Sequence, residues 1–510
     1  MAAATASAVM PSLGTRSINA VLWGAGGTVL RLFIQIGAQI VLARVLGPEQ
    51  YGLFAIGAIV IGFSAFFSDV GLAYGLIQKP TVGPRDVRFV FTWQVVLGSA
   101  VALAVLAGSN VLATFLGDAR ASGVMAALSV VCLVNALAAP SLNLLKRDLN
   151  FRAIQIAQLA SYVLGYLAVG LPLAFAGAQV WALVAAWIVQ ACASALLLYG
   201  AKRHSVRPLF WYEEARVQSG YGATVLVTNL VNWLINNVDR VIVGRTFGSR
   251  DIGLYATSYN LLYNPTMAAL GVVQPVFFSA SSRLGAEPAR VSQGYKSLAG
   301  ILAVLALPLF ACVAVVSGTL VAALYGPKWE AAAPLLQPLA LAMPLLLLWG
   351  LSTPLLWTAG RPSREFKLQL PLALVWVLVC LAAASVSVLA VAWAVLALQA
   401  VRTAVVVGAA TRAIGVGGRE LGRAVWGGLV LTAGVALLVG AADTYLSIST
   451  PGLLLAADAL VGCVAWLALL RLAPGLISAD AALLLARVLD RLPAPLARHL
   501  AHLAHKEEQT

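Results

Sequence analysis

Charge is what this sequence has least of. Only 10% of its 510 residues are Asp, Glu, Lys or Arg, while 61% are apolar. That balance cannot cover a soluble surface of this size. Long polar stretches are also missing: apolar runs of roughly twenty residues recur with short gaps from Ile18 to Leu472, leaving no room for a separate soluble domain. Cysteine is scarce, and Cys132, Cys192, Cys312, Cys380 and Cys463 each stand alone inside an apolar run. That spacing excludes a disulfide framework and a thiolate metal cluster, and the five read as small apolar packing residues. His499, His502 and His505 repeat at three-residue steps near the end of the chain, but without a carboxylate or thiolate partner they define no metal site.

In hydrocarbon every backbone polar group must be bonded within the chain, so runs of this length predict helices packed together. The expected fold is therefore all-α and polytopic, with about fourteen transmembrane helices. The predicted spans are 18–42, 52–76, 89–112, 122–144, 154–176, 180–201, 221–243, 253–280, 297–317, 331–358, 367–388, 390–411, 424–441 and 452–472. The stretch before Arg16 lacks the basic start and apolar middle of a signal peptide, so the first span is expected to be retained.

The formal net charge of +14 would suggest nucleic acid in a soluble protein, but its distribution excludes that partner. Counting by gap assigns 26 Lys and Arg to the N-terminus, the even-numbered gaps and the C-terminal tail, four of them to the gap after span 12. The odd-numbered gaps hold five, Arg44, Arg120, Arg245, Arg250 and Lys328, and the count leaves Arg31 and Arg240 inside spans. An excess that alternates at every crossing predicts both termini on the cytoplasmic side of the membrane. The segments are then a cytoplasmic N-terminus (1–17), an N-lobe of spans 1 to 6 (18–201), a cytoplasmic linker (202–220), a C-lobe of spans 7 to 12 (221–411), spans 13 and 14 (412–472) and a tail (473–510). Within the tail, Leu476 to His505 reads as an amphipathic helix lying on anionic headgroups, with Arg487, Arg491 and Arg498 among leucines.

An internal repeat organises the chain. Arg44-Val-Leu-Gly47-Pro-Glu-Gln-Tyr-Gly52-Leu53-Phe-Ala55 returns as Arg245-Thr-Phe-Gly248-Ser-Arg-Asp-Ile-Gly253-Leu254-Tyr-Ala256, a constant offset of 201. The two copies follow spans 1 and 7, so six helices separate them. An even number preserves orientation and predicts two parallel six-helix repeats, with spans 13 and 14 outside the duplication. Taken alone, the glycines are turn residues and the arginines headgroup contacts. A turn signal does not explain the common offset.

The same offset pairs a second set. Thr28, Arg31, Gln35 and Gln39 in span 1 correspond to Asn229, Asn232, Asn236 and Arg240 in span 7. Steps of 3, 4 and 4 put each set on one helical face, and such stripes turn from lipid toward a partner or a wet cavity. The two stripes are expected to face each other. Arg31 lies about 20 Å along the helix from Arg44, near mid-membrane. A cation there either pairs with Asp69, the one acid at similar depth in the first half, or faces a cavity and neutralises an anionic substrate. Asp239 is expected to lie close enough to the outer surface to be solvated. Trp233, Tyr255, Tyr259 and Tyr263 suit stacking on sugar rings but read more simply as interfacial aromatics. Gln155, Gln158 and Tyr162 form a short stripe on span 5 that reads as helix packing.

Four segments carry a family resemblance: Leu42-Ala-Arg-Val-Leu-Gly-Pro-Glu-Gln-Tyr-Gly-Leu-Phe-Ala55 followed by Ser68-Asp-Val-Gly-Leu72; Lys146-Arg-Asp-Leu-Asn-Phe-Arg152; Val238-Asp-Arg-Val-Ile-Val-Gly-Arg245 running into Gly253-Leu-Tyr255; and Leu324-Tyr-Gly-Pro-Lys-Trp329. With them the chain resembles the polysaccharide transporter branch of the multidrug/oligosaccharidyl-lipid/polysaccharide (MOP) flippase superfamily, the Wzx-type exporters. The resemblance implies two lobes around a cationic cavity, alternating access, and an undecaprenyl-diphosphate-linked oligosaccharide carried outward for exopolysaccharide, capsule or O-antigen synthesis. It makes polysaccharide polymerase or export machinery a plausible partner beside the lipid bilayer. Arg31, Arg240 and Arg245 are the arginines placed for the cavity, with Gln35, Gln39, Asn229, Asn232 and Asn236 beside them and Asp69 as ion-pair or coupling acid. No cofactor is expected; the membrane potential, H+ and Na+ are the candidate couplings.

Three rivals fit less well. A cation-coupled multidrug antiporter of the same superfamily should bury several carboxylates, whereas Asp69 is the deep acid found in the first twelve spans. A membrane polysaccharide polymerase or glycosyltransferase needs acidic catalytic groups or a large outer loop, and no odd-numbered gap carries an acid and base cluster. A flippase for lipid-linked peptidoglycan precursors differs in substrate rather than in mechanism.

Overall fold

A computed structural model describes residues 13–69, 72, 76, 79, 81–213, 222–283, 287–358, 362–478 and 481–482. Among them the regular elements are helical. The long helices are α1 (Leu13–Leu46), α2 (Pro48–Asp69), α3 (Pro84–Phe115), α4 (Ala121–Arg147), α5 (Phe151–Phe175), α6 (Val180–Ala201), α7 (Gly222–Phe247), α8 (Ser249–Arg283), α9 (Pro288–Val315), α10 (Ala333–Thr358), α11 (Pro362–Ala384), α12 (Val388–Ala413), α13 (Gly418–Tyr445) and α14 (Pro451–Leu472). Thirteen stretches of these are long and apolar enough to cross a membrane. The exception is α7, whose 26 residues have the length but carry the asparagines, Asp239 and Arg240 of the polar stripe. The amphipathic tail helix expected up to His505, with its three histidines, lies outside the described residues from 483 onward.

Two features depart from the spans read in the sequence. The gap after span 9 is not a plain loop: a short helix, Ser317–Leu324, and a 3-10 turn, Pro327–Ala332, fill it, and the turn buries Trp329 completely. Arg402, assigned by the gap count to the loop after span 12, lies inside α12 and is 0% exposed. The alternation of basic gaps survives its removal, but span interiors hold a third arginine.

The chain clusters into two compact units. The first comprises residues up to Val45, Ile56–Phe115 and Ala119–Leu230; the second comprises Leu46–Ala55, Leu116–Asp118 and Val231 onward. In the first unit α3 packs on α4 where Gly98 leaves no room for a side chain, since a Cβ there would meet that of Ala136 at 2.5 Å. Gly165 plays the same part between α5 and α6: a Cβ would lie 2.4 Å from the Ala186 carbonyl. At the base of α3, Asp86 accepts from Lys79 at 2.6 Å, from the Gly83 amide at 2.8 Å and from the Tyr212 hydroxyl. Arg88 donates to the carbonyls of Arg207 and Pro208, and Trp93 to that of Phe210. The first part of the linker after α6 is thereby strapped across the start of α3.

In the second unit the repeat becomes a contact. Gly47 and Gly248, with φ of 80° and 84°, are the left-handed residues that end α1 and α7. The second glycines do something else. A Cβ on Gly52 would sit 1.6 Å from the Ser249 carbonyl oxygen, and a Cβ on Gly253 would sit 1.9 Å from that of Pro48. Residues 48 and 249, like 52 and 253, differ by 201, so the first turns of α2 and α8 cross reciprocally, each glycine beneath the other turn's backbone. The offset found in the sequence is thus a pseudo-two-fold contact, as two parallel repeats require. Tyr51 then packs edge-on against Trp329 with ring centroids 5.7 Å apart.

The most enclosed helix is α10, which carries Pro338, Pro344 and Pro354. Each proline removes an amide and orphans a carbonyl four residues back, which hydrocarbon does not tolerate. For Pro354 that carbonyl is Gly350, and Gln274 of α8 donates to it at 2.9 Å, with Thr353 adding a hydroxyl at 3.1 Å. The hairpin α13–α14 docks on α9. Gly428 admits Ala303, Gly427 lies under the Leu476 carbonyl, and the Trp466 indole donates to Val304 at 2.9 Å.

The crossing fixes an expectation. Gly52→Ala and Gly253→Ala should each lower stability by about 1–3 kcal/mol or more, because the obstructing atoms are backbone. Gly271→Ala, in α8 with nothing within 4 Å of the new Cβ, should be neutral or stabilising by up to about 1 kcal/mol. Thermal unfolding of the purified variants in detergent measures all three.

Candidate functional site: two polar seams

In the first unit the span 1 stripe has a partner. Thr28 accepts from Gln155 at 3.4 Å, Arg31 donates to Gln158, and the Gln35 carbonyl accepts from the Tyr162 hydroxyl at 3.4 Å. All three pairs are 127 residues apart, so α1 and α5 lie in register along a continuous seam. The short stripe of span 5, read as helix packing, thus packs on span 1, with Gln155, Gln158 and Tyr162 against Thr28, Arg31 and Gln35. The half-buried Arg31 is bonded to a neutral amide; the side chain of Asp69, one of its two expected counterparts, lies outside the described residues. Gln39 is half-buried beyond the seam's last pair. Directly after Tyr162, α5 opens into a π turn over Val163–Gly170, a distortion frequent at functional sites. Tyr162 stacks on Tyr166 across it at 4.6 Å.

The second unit builds a corresponding seam from α7, α10, α11 and α12. At its centre is Arg402, whose guanidinium donates to Gln369 of α11 at 2.7 Å and to Asn236 of α7 at 3.3 Å, and lies 3.8 Å over the Trp349 ring. Gln369 in turn donates to the buried Glu365 at 2.6 Å. A planar cation can bond two amides at its edge while stacking its face, which an ammonium cannot. Arg240 donates to the Asn236 carbonyl and sits 4.5 Å over the ring of Tyr259, which stacks on Tyr263. Asp239 is not solvated as expected. It is 2% exposed, accepts from the Tyr255 hydroxyl at 2.7 Å, and leaves its Oδ1 without a donor. A cavity of about 20 Å³ is lined in part by Asn236, Asp239, Trp376 and Gln399, and the Trp376 indole N–H is also unbonded. A void of that size accommodates one water, able to accept from Trp376 and donate to Asp239.

Among the other expected site residues, Asn232 is half-buried and Arg245 exposed, and the side chain of Asn229 lies outside the described residues. Tyr255 and Tyr259 are buried against the seam, so their work here is hydrogen bonding and cation stacking rather than membrane anchoring. Sequence reading missed Arg402 because it was counted with the gap after span 12, which holds only Arg412, Arg419 and Arg423, and missed Glu365 and Gln369 because they stand near the start of a span among basic residues. The signal for Arg402 was its position twelve residues into a predicted span.

These arrangements are polar contacts between apolar helices. Residues 41–334 match the sequence model of a family described as polysaccharide biosynthesis protein. The chain belongs to this family. Similar curated proteins are the lipopolysaccharide biosynthesis protein WzxC of Escherichia coli (strain K12), 23% identical over 70% of this chain and 73% of its own, and the teichuronic acid biosynthesis protein TuaB of Bacillus subtilis (strain 168), 24% identical over 75% and 80%. The succinoglycan biosynthesis transport protein ExoT of Rhizobium meliloti (strain 1021) is 25% identical over 64% and 66%. Among solved structures, lipid II flippase MurJ in an inward closed conformation aligns with a TM-score of 0.66 over 89% of this chain and 96% of its own at 10% identity. An inward-facing multidrug resistance MATE family transporter of the MOP superfamily aligns at 0.60 over 78% and 98% with 13% identity. At such identities the structures establish the fold: this polysaccharide biosynthesis family member is a multi-pass membrane protein of the MOP architecture, six plus six helices with two more.

The seam of the second unit predicts a specific intolerance. Arg402→Met strands the Gln369 and Asn236 oxygens in a buried seam and removes its central cation, which should cost about 3–5 kcal/mol. Arg402→Lys restores charge but neither the two-amide fork nor the stack, and should recover less than half of that loss in thermal unfolding. Full recovery with Lys would show that charge alone matters there.

Proposed function

We propose that this family member translocates undecaprenyl-diphosphate-linked oligosaccharide repeat units from the cytoplasmic to the periplasmic leaflet, by alternating access of its two repeats. The units supply exopolysaccharide, capsule or O-antigen synthesis. The observation that carries the reading is Arg31, a cation about 20 Å deep along α1 whose bonded partner is the neutral amide of Gln158. An arginine at that depth is retained where its charge has work to do, and a diphosphate is the bidentate partner its fork fits. Arg402 and Arg240 are less suited to that contact. The first is bonded and stacked with no exposed surface; the second is stacked on Tyr259 beside the carboxylate of Asp239. Gln35 and Gln39, continuing the same face of α1, supply amides for sugar hydroxyls. On the topology expected from loop charge, an inside-negative potential drives the diphosphate outward, at about 2.3 kcal/mol per charge per 100 mV.

One observation favours a second reading. Asp239 and Glu365 are buried in the second unit, so the chain holds more sequestered carboxylate than a single deep acid. Buried acids suit a cation-coupled antiporter of the same superfamily. Both here lie beside an arginine, directly or through Gln369, and this supports a charge-balanced scaffold over a free coupling acid.

In a strain lacking the protein and any second flippase, undecaprenyl-linked oligosaccharide should accumulate on the cytoplasmic face. Wild type and Arg31→Lys should relieve the build-up, Lys partially, while Arg31→Glu should leave polymer output at least about tenfold down, a loss of 1.4 kcal/mol or more in transport. Normal polymer with no accumulated intermediate would overturn the reading in favour of the antiporter.

A further inference from the structure

The chain does not run free after α6. Residues 202–213 form an extended strap, held on the first unit largely by its main chain. Arg88 donates to the Arg207 and Pro208 carbonyls at 3.1 and 3.0 Å, Thr92 accepts from the Leu209 amide at 2.8 Å, and Trp93 donates to the Phe210 carbonyl at 3.0 Å. Because the main chain makes these bonds, the side chains are left to sort by face. Leu209 and Tyr212 pack inward on the cluster that includes Leu76, Phe89 and Val90, and the His204 ring lies 5.3 Å from that of Phe91. Arg203, Val206, Arg207, Phe210 and Trp211 face outward, the two aromatics 60% and 62% exposed.

The level of the strap decides what that outer face meets. Phe89 begins the apolar run of the third span, so Thr92 and Trp93 stand inside it and Asp86 and Arg88 outside. Arg88 and Trp93 are about 7.5 Å apart along α3. The strap therefore crosses α3 at the edge of the hydrocarbon, with the Arg207 carbonyl held from the polar side and that of Phe210 from the apolar side. Exposed Phe and Trp at that edge meet acyl chains, and Trp favours the boundary. The cations of the same face have no acid to neutralise them. Lys202 pairs with Asp148 and Lys79 with Asp86, each at 2.6 Å, whereas among the described residues no carboxylate pairs with Arg85, Arg203 or Arg207. The strap's one acid, Glu213, is at its far end. Unpaired arginines beside apolar anchors at the boundary complement a molecule with an anionic head and an apolar tail.

We infer that the strap is a docking site for anionic phospholipid of the cytoplasmic leaflet, with Arg203 and Arg207 on the phosphate headgroup and Phe210 and Trp211 along the acyl chains. The choice of leaflet rests on the topology expected from loop charge. The guanidinium fork matches a phosphate diester, and the fixed main chain holds cations and aromatics in place before the lipid arrives. A zwitterionic lipid has the same phosphate, but its ammonium group offsets the charge, so the preference for an anionic lipid is electrostatic and screened by salt. A soluble protein partner would need Phe210 and Trp211 in water, and their level on α3 argues against that.

The test is quenching of Trp211 fluorescence by brominated acyl chains in full-length protein reconstituted into phosphatidylcholine vesicles. The vesicles contain a fixed fraction of either brominated phosphatidylglycerol or brominated phosphatidylcholine. The chain has 13 tryptophans, so the Trp211 signal is the difference between wild type and Trp211→Phe. Phosphatidylglycerol should quench that signal as though enriched at least about fivefold over phosphatidylcholine, the order one arginine supplies near an anionic surface. The enrichment should fall to parity in the double variant Arg203→Gln/Arg207→Gln and shrink in wild type at about 0.5 M NaCl. Should the double variant not fold, the salt series on wild type decides. Equal quenching by the two lipids, or enrichment untouched by salt or by the double variant, would overturn the site. So would quenching of Trp211 by neither lipid, which would mean that the strap faces water or a protein.

Discussion

A polar group in hydrocarbon must be bonded from within the chain, and the architecture follows from how this sequence meets that demand. The demand explains why Gln274 reaches α10 at the carbonyl that Pro354 orphans, and why asparagines and glutamines on α1, α5, α7 and α11 meet in seams instead of facing lipid. It also separates the three intramembrane arginines. Arg402 has two amides and an aromatic face, and Arg240 has a carbonyl, a ring and an adjacent acid. Arg31 is bonded to one amide. The least compensated of these cations is the one on which the proposed function rests.

The two units solve the same problem with different residues. In each, the first helix of a six-helix repeat engages the fifth through a polar stripe. In the first unit the contact is direct, an arginine on α1 to a glutamine on α5; in the second, an asparagine on α7 reaches a glutamine on α11 through Arg402 supplied by α12. Both repeats thus join the first helix to the fifth, the second with an arginine from its sixth helix between them. The crossing of Gly52 and Gly253 retained both geometry and residue, because backbone against backbone permits no alternative to glycine.

Helix number and the parallel repeats were legible because apolar run length and a constant offset report directly on crossing and duplication. Helix ends were less so: α3 runs from Pro84 to Phe115 where the apolar run suggested 89–112, since a helix continues past the hydrocarbon that selects its middle. The seam of α1 was half legible. Thr28, Arg31 and Gln35 have the same 3 and 4 spacing as Gln155, Gln158 and Tyr162, and matching spacings on two helices mark a pairing in register. Offset reading favoured the homologous helix over the neighbouring one. Burial of Asp239 was not legible, because depth along a helix does not reveal which face is turned inward. Only the packing of Tyr255 and the Trp376 cavity shows that.

The most direct measurement is translocation in proteoliposomes of a fluorescent polyprenyl-diphosphate oligosaccharide beside a neutral polyprenyl glycoside with the same sugars. The account predicts protein-dependent movement of the diphosphate only, responsive to an imposed membrane potential. Equal movement of the neutral lipid would contradict it, because a cation at mid-depth would then have no part in choosing the cargo.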